Sequence, residues 1–259
     1  MLGIVRSTLV ALVLSSGVAV ASEAPKPAEQ DWPFDGVLET FDRGALQRGF
    51  QIYSEICAAC HSLRLVAYRN LREIGFSESE VKTIALEAQV PAGPNEEGET
   101  HDEDGMTFMR PARLADRLVS PFANEQAARA ANLGVLPPDL SLMTKARANG
   151  SDYLYALLTG YRDEPPEGVE LLEGMSYNLY FPGNQTAMGA PLDDEAVEYA
   201  DGTKPTLEQH ARDIVTFLAW AAEPEMEERK SLGIKVMLFL IILTAMLYAL
   251  KRKVWSDLH

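Results

Sequence analysis

The sequence predicts an all-α fold: one globular domain with long irregular loops, followed by one C-terminal transmembrane helix. Three observations predict it. Apolar residues recur at helical spacing in five separate segments. The connections between those segments, 91–112, 134–141 and 162–205, are rich in Pro and Gly, and the last runs over forty residues with no convincing helix. Leu232 to Leu250 is an almost uninterrupted apolar run long enough to cross a bilayer.

The elements follow in chain order. Arg6 precedes an uncharged run from Ser7 to Ala21 that closes on Ala19-Val20-Ala21, a small-x-small cleavage pattern. Residues 1–21 therefore read as a secretory signal peptide, with a retained anchor as the alternative; either form exports the domain at 22–230. In "FDRGALQRGFQIYSEICAACH" Leu46, Phe50, Tyr53 and Cys57 lie at helical spacing, and Asp42 is placed to cap the segment. "FSESEVKTIALEAQV" opens on Ser77 and Glu80, a capping-box pair, and runs to about Gln89. "NEQAARAANLG" starts from Asn124 and stops at Gly134, and "GSDYLYALLTGY" starts at Ser151 or Asp152 and stops at Gly160. "TLEQHARDIVTFLAWAAEP" puts Leu207, Ala211, Ile214, Leu218 and Ala221 on one stripe between a Thr206 cap and a Pro224 stop.

The apolar run is the last element, with residues 231–251 as its bounds. Its nineteen residues from Leu232 to Leu250 span roughly 28 Å as a helix, close to the hydrocarbon thickness of a bilayer. A buried core helix is the alternative, but few such helices are apolar on every face. Lys251-Arg252-Lys253 follow the run and glutamates precede it, so the basic tail, 252–259, is placed in the cytoplasm and the domain at 22–230 on the other side.

The formal charge is −15, which excludes a nucleic-acid partner. Carboxylates cluster in "PNEEGETHDEDG", "DEPPEGVELLE" and "DDEAVEYAD". Each cluster taken alone suits a solvated loop; three on one exported domain favour a basic partner drawn in by long-range attraction. A connection as long as 162–205 without helices calls for an organiser other than secondary structure, such as a large apolar cofactor.

Both cysteines of the chain and one of its four histidines lie in "SEICAACHSL". If the first helix continues through it, Cys57, Cys60 and His61 share the face that carries Tyr53 and Phe50. Cys-x-x-Cys-His is the attachment pattern of a c-type haem. The thiols add to the porphyrin vinyl groups as thioethers, and the adjacent imidazole reaches the iron. A zinc knuckle would need a second Cys/His pair, which the sequence lacks. A thioredoxin-like pair would want a βαβ context and no following histidine.

The iron then needs a sixth ligand or stays open for chemistry. A methionine there raises the potential and makes an electron-transfer site. Met106 and Met109 follow the acidic loop, Met237 and Met246 lie in the apolar run, and Met188 lies in "YFPGNQTAMGAPL", a Pro/Gly-framed loop able to lay a thioether over a flat ring. His210 is the bis-imidazole alternative, and an open site, as in a haem enzyme or gas sensor, is the other.

Taken together, "CAACH", "RPARLADRLVSPFANEQAARAANLGVLPPDLSL", "DYLYALLTGY", "YFPGNQTAMGAPL" and "DIVTFLAWAAEPE" ahead of an anchor ending "LKRKVW" resemble the cytochrome c1 family, in its bacterial form. The resemblance implies a cytochrome c-like haem domain with one covalently bound haem c. Cys57 and Cys60 would carry the thioethers, His61 and Met188 would bind the metal, Arg147 would face a haem propionate, and Pro138 would pack near the ring edge. It further implies a single-pass protein of the inner membrane with its haem domain in the periplasm. The partners would be cytochrome b and the Rieske iron–sulfur protein of the bc1 complex and a soluble basic c-type cytochrome. The chain would be no enzyme on its own; an anchored carrier outside any complex is the weaker alternative. Gly189-Ala190-Pro191 departs from the Ala-Pro-Pro of many relatives, and the extra cysteine pair of some bacterial members is missing, so the Met188 loop is expected to be held by packing alone.

Overall fold

A computed structural model describes residues 24–256; the signal peptide read at 1–21 and the last three residues lie outside them. Seven helices and two short β-ribbons are found among these residues. Helix α1 (Arg43–Glu55) starts where the Asp42 carboxylate accepts from the N–H groups of Gly44 and Ala45. It ends five residues before the second cysteine of the pair. Ile56 caps it, its N–H still bonded to the Ile52 carbonyl, and Cys57–Ala59 then form a single 3-10 turn. The expectation of one helix through His61 is thus corrected: Ile56 keeps the apolar stripe going in sequence while the backbone tightens.

A longer 3-10 segment, Tyr68–Ile74, closes on Gly75, whose φ of 105° only glycine adopts without strain. Helix α2 (Glu78–Glu87) has the expected capping box, with Ser77 and Glu80 bonding each other's backbone. The acidic loop is the head of an antiparallel ribbon made by β1 (Gln89–Pro91) and β2 (Met109–Pro111), which the sequence pattern did not reveal. Helix α3 (Glu125–Ala131) is capped by Asn124 as expected. Helix α4 (Met143–Ala146) is one turn long. Helix α5 (Gly150–Thr159) begins a residue earlier than expected, behind Asn149 in the left-handed conformation rather than on a side-chain cap. A second ribbon, β3 (Ser176–Tyr177) with β4 (Gln185–Thr186), sits inside the long connection before α6 (Leu207–Ala222), which Thr206 caps.

The core lies where α1 crosses α6. Phe50 and Phe217 meet edge to face at 5.8 Å, and Tyr53 and Trp220 pack on the same Phe217 ring. Gly49 makes this approach possible, because a Cβ there would stand 2.2 Å from the carbonyl oxygen of Asp213. Beside it the Arg48 guanidinium grips the fully buried Asp213 carboxylate through two bonds of 2.8 and 3.0 Å. That clamp raises the Arg48 pKa further, chiefly through its bond to Asp213.

Helix α7 (Met226–Val254) is a single helix that begins before the apolar run and continues past it. It is the one helix among the described residues long and apolar enough to cross a membrane. From Ser231 onward every described side chain but Ile234 is exposed, which rules out the core-helix alternative.

Candidate functional site

The 3-10 turn gathers the three residues of the attachment pattern. The Cys57 carbonyl accepts from the N–H groups of Cys60 (3.1 Å) and His61 (2.8 Å), so the backbone folds tightly around the pair. Neither thiol is in a disulfide. Burial pushes the Cys57 thiol up to about 12, so its sulfur stays neutral, as a thioether sulfur would be.

His61 turns toward the loop at 134–141. Its Nδ1 lies 2.8 Å from the carbonyl oxygen of Pro138. A carbonyl only accepts, so Nδ1 carries the proton and Nε2 keeps a free lone pair. Burial holds the imidazole below its ordinary pKa, against opposing pulls from Pro138 and the Asp139 charge. The structure thus gives Pro138 a definite contact, through its carbonyl to His61.

What fixes Pro138 is a residue that sequence reasoning missed. The Asp139 carboxylate accepts from the Ser62 hydroxyl (2.8 Å), the Arg64 N–H (2.9 Å), the Arg64 guanidinium (3.2 Å) and the Ser141 N–H (3.0 Å). The Leu140 N–H donates to the Ser62 carbonyl at 2.9 Å. Burial by itself would raise the Asp139 pKa, but these bonds overcome it and hold the carboxyl at about 2. The segments 61–65 and 138–141 are therefore stitched together immediately beyond the His61–Pro138 bond. Only the short spacing of Pro-Pro-Asp hinted at this in the sequence.

Met188 lies two residues beyond β4, half-buried, with its N–H on the Thr186 hydroxyl at 3.2 Å. The loop before it is not held by packing alone. The buried Asn178 donates to the Leu157 carbonyl of α5 (2.8 Å) and accepts from the N–H groups of Tyr180 (3.0 Å) and Phe181 (3.1 Å). Asn184, in the left-handed conformation, returns bonds to the carbonyls of Asn178 and Leu179. This hydrogen-bond knot corrects the expectation and takes the part a cysteine pair would play.

The other sulfur candidates are placed differently. Met106 and Met109 stand exposed on the acidic ribbon, and Met237 and Met246 stand exposed on α7. His210 is fully buried with both ring nitrogens against carbonyls, Asp193 at 3.1 Å and Val197 at 3.0 Å, so neither nitrogen is open to a metal. Among the described residues no group of three or more His, Cys, Asp or Glu could hold a metal ion.

Arg147 is exposed, and its guanidinium reaches only its neighbour's carbonyl, Ala146, with no carboxylate partner among the described residues. The Tyr161 hydroxyl, shielded from solvent at the base of the Met188 loop, has no hydrogen-bond partner. Among the described residues no hydrogen bond or ion pair joins Met188 or Arg147 to the 57–61 turn. The donor set fits a covalently attached haem: two thiols outside any disulfide, an imidazole with one free nitrogen, and unspent polar groups for an acidic ring edge.

This fold and this turn define the class as a c-type cytochrome with a C-terminal helix able to anchor it in a membrane. Comparison with known proteins narrows the class: the chain belongs to the cytochrome C1 family, whose model matches residues 32–258. It is 49% identical to a mitochondrial cytochrome c1 heme protein of Arabidopsis thaliana over 99% of this chain and 82% of that one. It is 45% identical to the cytochrome c1 of Rhodospirillum rubrum over 98% of both chains. It is 47% identical over 94% of its length to a protein of Candida albicans named as the catalytic subunit of the cytochrome b-c1 complex, 82% of which is covered. Family membership makes the chain a haem-bearing electron-transfer protein; covalent haem c is characteristic of the family, and Cys57, Cys60 and His61 are present.

Proposed function

We propose that this chain is the membrane-anchored electron-transfer subunit of a quinol–cytochrome c oxidoreductase. It takes single electrons from the Rieske iron–sulfur protein of that complex, beside cytochrome b, and passes them to a soluble basic c-type cytochrome. The observation that carries the reading is the His61–Pro138 bond of 2.8 Å directly after the cysteine pair, since it leaves Nε2 aimed and unprotonated for a metal. Haem c, when bound, supplies a one-electron Fe(III)/Fe(II) couple.

The residues of the chain divide the remaining work. Cys57 and Cys60 hold the ring edge through thioethers. Pro138 and Asp139 keep the His61 imidazole in one tautomer and one orientation. Met188 would supply a thioether sulfur to the metal, on a loop that Asn178 and Asn184 keep in place. Arg147 pairs with a propionate. The domain lies in the periplasm, α7 crosses the inner membrane, and the basic tail lies in the cytoplasm, in keeping with Lys251, Arg252 and Lys253 at the far end of the apolar run. No substrate bond is made or broken by this chain; the oxidoreductase reaction belongs to the assembled complex.

The test is chemical and optical. Acidified acetone should leave the pigment on the polypeptide, and the spectrum should be low-spin and insensitive to CO. Met188→Leu should keep the covalent haem, lower the midpoint potential and admit CO. An unchanged potential would remove Met188 from the ligand set, and extractable pigment would remove the thioethers.

A further inference from the structure

The loop between Phe34 and Phe41 carries two apolar side chains pointing away from the core: Val37 is 74% and Leu38 79% exposed. Its flanks are buried, with Phe34 and Phe41 packed at 5.1 Å. The loop is also tied to the head of α7. The Lys230 ammonium donates to the carbonyls of Phe34 (2.6 Å), Gly36 (2.6 Å) and Glu39 (3.1 Å), which uses all three of its protons. One turn earlier the Glu227 carboxylate accepts from the Phe41 N–H (2.8 Å) and from Arg43 (3.0 and 2.6 Å).

These bonds fix the height of the loop along the helix. Lys230 stands two residues before Leu232, the first exposed apolar residue of the run, or about 3 Å along the axis. Val37 and Leu38 lie between two residues whose carbonyls touch that ammonium. They are therefore held level with the boundary at which the hydrocarbon of a bilayer gives way to headgroups. A single exposed apolar residue needs no explanation. An adjacent pair on a loop strapped to the mouth of a membrane span is continuous with the apolar surface of that span.

We propose that the loop at 35–40 is a second membrane contact, with Val37 and Leu38 inserted into the interfacial layer of the bilayer beside α7. The lipid surface is the partner, and the contact sets the tilt of the haem domain over the membrane, since one helix alone would leave that domain free to swing. The proposal rests on α7 spanning the membrane.

The experiment uses the full-length haem-loaded chain in vesicles of phosphatidylcholine and phosphatidylglycerol. Leu38→Cys and, separately, Val37→Cys take a nitroxide label, because Cys57 and Cys60 are closed as thioethers. Accessibility to oxygen and to a water-soluble nickel chelate is read by electron paramagnetic resonance, with Met106→Cys as the exposed reference and Leu240→Cys as the lipid reference. Labels at 37 and 38 should lose most of the nickel accessibility seen at 106 and gain oxygen accessibility toward that at 240. Values equal to those at 106, with 240 in lipid, would overturn the proposal. So would labels shielded from both reagents, which would mean that protein covers the loop. Water-like values at 240 would instead overturn the membrane reading of α7 and the proposal with it.

Discussion

His61 has one usable nitrogen because Pro138 occupies the other, and Pro138 stays there because Asp139 will not let the loop move. The carboxylate has three bonds across the two segments and one within its own, and sits at about 2 rather than its ordinary 3.8. A depressed carboxyl pKa contributes stability above the unfolded value and loses it as pH falls through the folded one. The window here runs from about 4 down to about 2, and the contribution is about 1–2 kcal/mol after allowance for partial exposure. Asp139→Asn should therefore be less stable than the parent at pH 7 by that amount, and the gap should close as pH falls across the window. Chemical denaturation of both proteins at a series of pH values checks it. The cysteines and His61 were legible in the sequence because covalent attachment dictates their spacing. Asp139 was not, because one acid among 38 acquires its role only when two distant loops meet.

At the scale of elements, the crossing of α1 and α6 rests on one missing side chain and one buried ion pair. Gly49→Ala would drive a methyl into the Asp213 carbonyl at 2.2 Å and push the helices apart. Asp213→Ala would leave Arg48, mostly buried, without its main counter-charge, at a cost of about 3–5 kcal/mol. Both variants should lower the thermal midpoint of the haem-loaded protein, with Asp213→Ala recovering little when Asp201, the weaker partner on the rim, is left in place. The helices themselves were readable from their stripes and caps: Asp42, Ser77, Asn124 and Thr206 all cap as written. The end of α1 was not, because the apolar pattern runs on through Ile56 and Cys57 while the backbone tightens into the 3-10 turn. The Met188 loop was misjudged for a related reason. Asn178 and Asn184 are unremarkable polar residues in sequence, and only burial turns them into a knot. Asn178→Ala would strand the Leu157 carbonyl and two N–H groups, so the loop should loosen and the ferrous protein should bind CO where the parent does not.

Over the whole molecule, the three acidic clusters separate by what their carboxylates already do. Asp201 is taken by Arg48, and Asp194 accepts from the Leu207 N–H at the start of α6, so the cluster at 193–201 is partly spent on folding. The ribbon head at 94–105 is different. Asn95 and Asp102 fold their side chains onto the turn backbone, while none of Glu96, Glu97, Glu99, Glu103 or Asp104 is in an ion pair among the described residues. Those charges are left to the solvent on an arm that β1 and β2 hold away from the core. A field of this kind accelerates encounter with a basic protein over roughly a Debye length, about 8 Å at physiological salt, and is screened as salt rises. Replacing Glu96, Glu97, Glu103 and Asp104 by their amides should therefore slow reduction of a basic cytochrome c severalfold at low ionic strength, flatten the dependence of the rate on salt, and leave the midpoint potential and thermal stability unchanged. Stopped-flow measurements across an ionic-strength series decide the point. If the rate falls by the same factor at every salt concentration, the ribbon acts through contact geometry and not through its field. If neither rate nor slope moves, the partner docks elsewhere, and the unspent carboxylates at 163–173 become the next surface to neutralise.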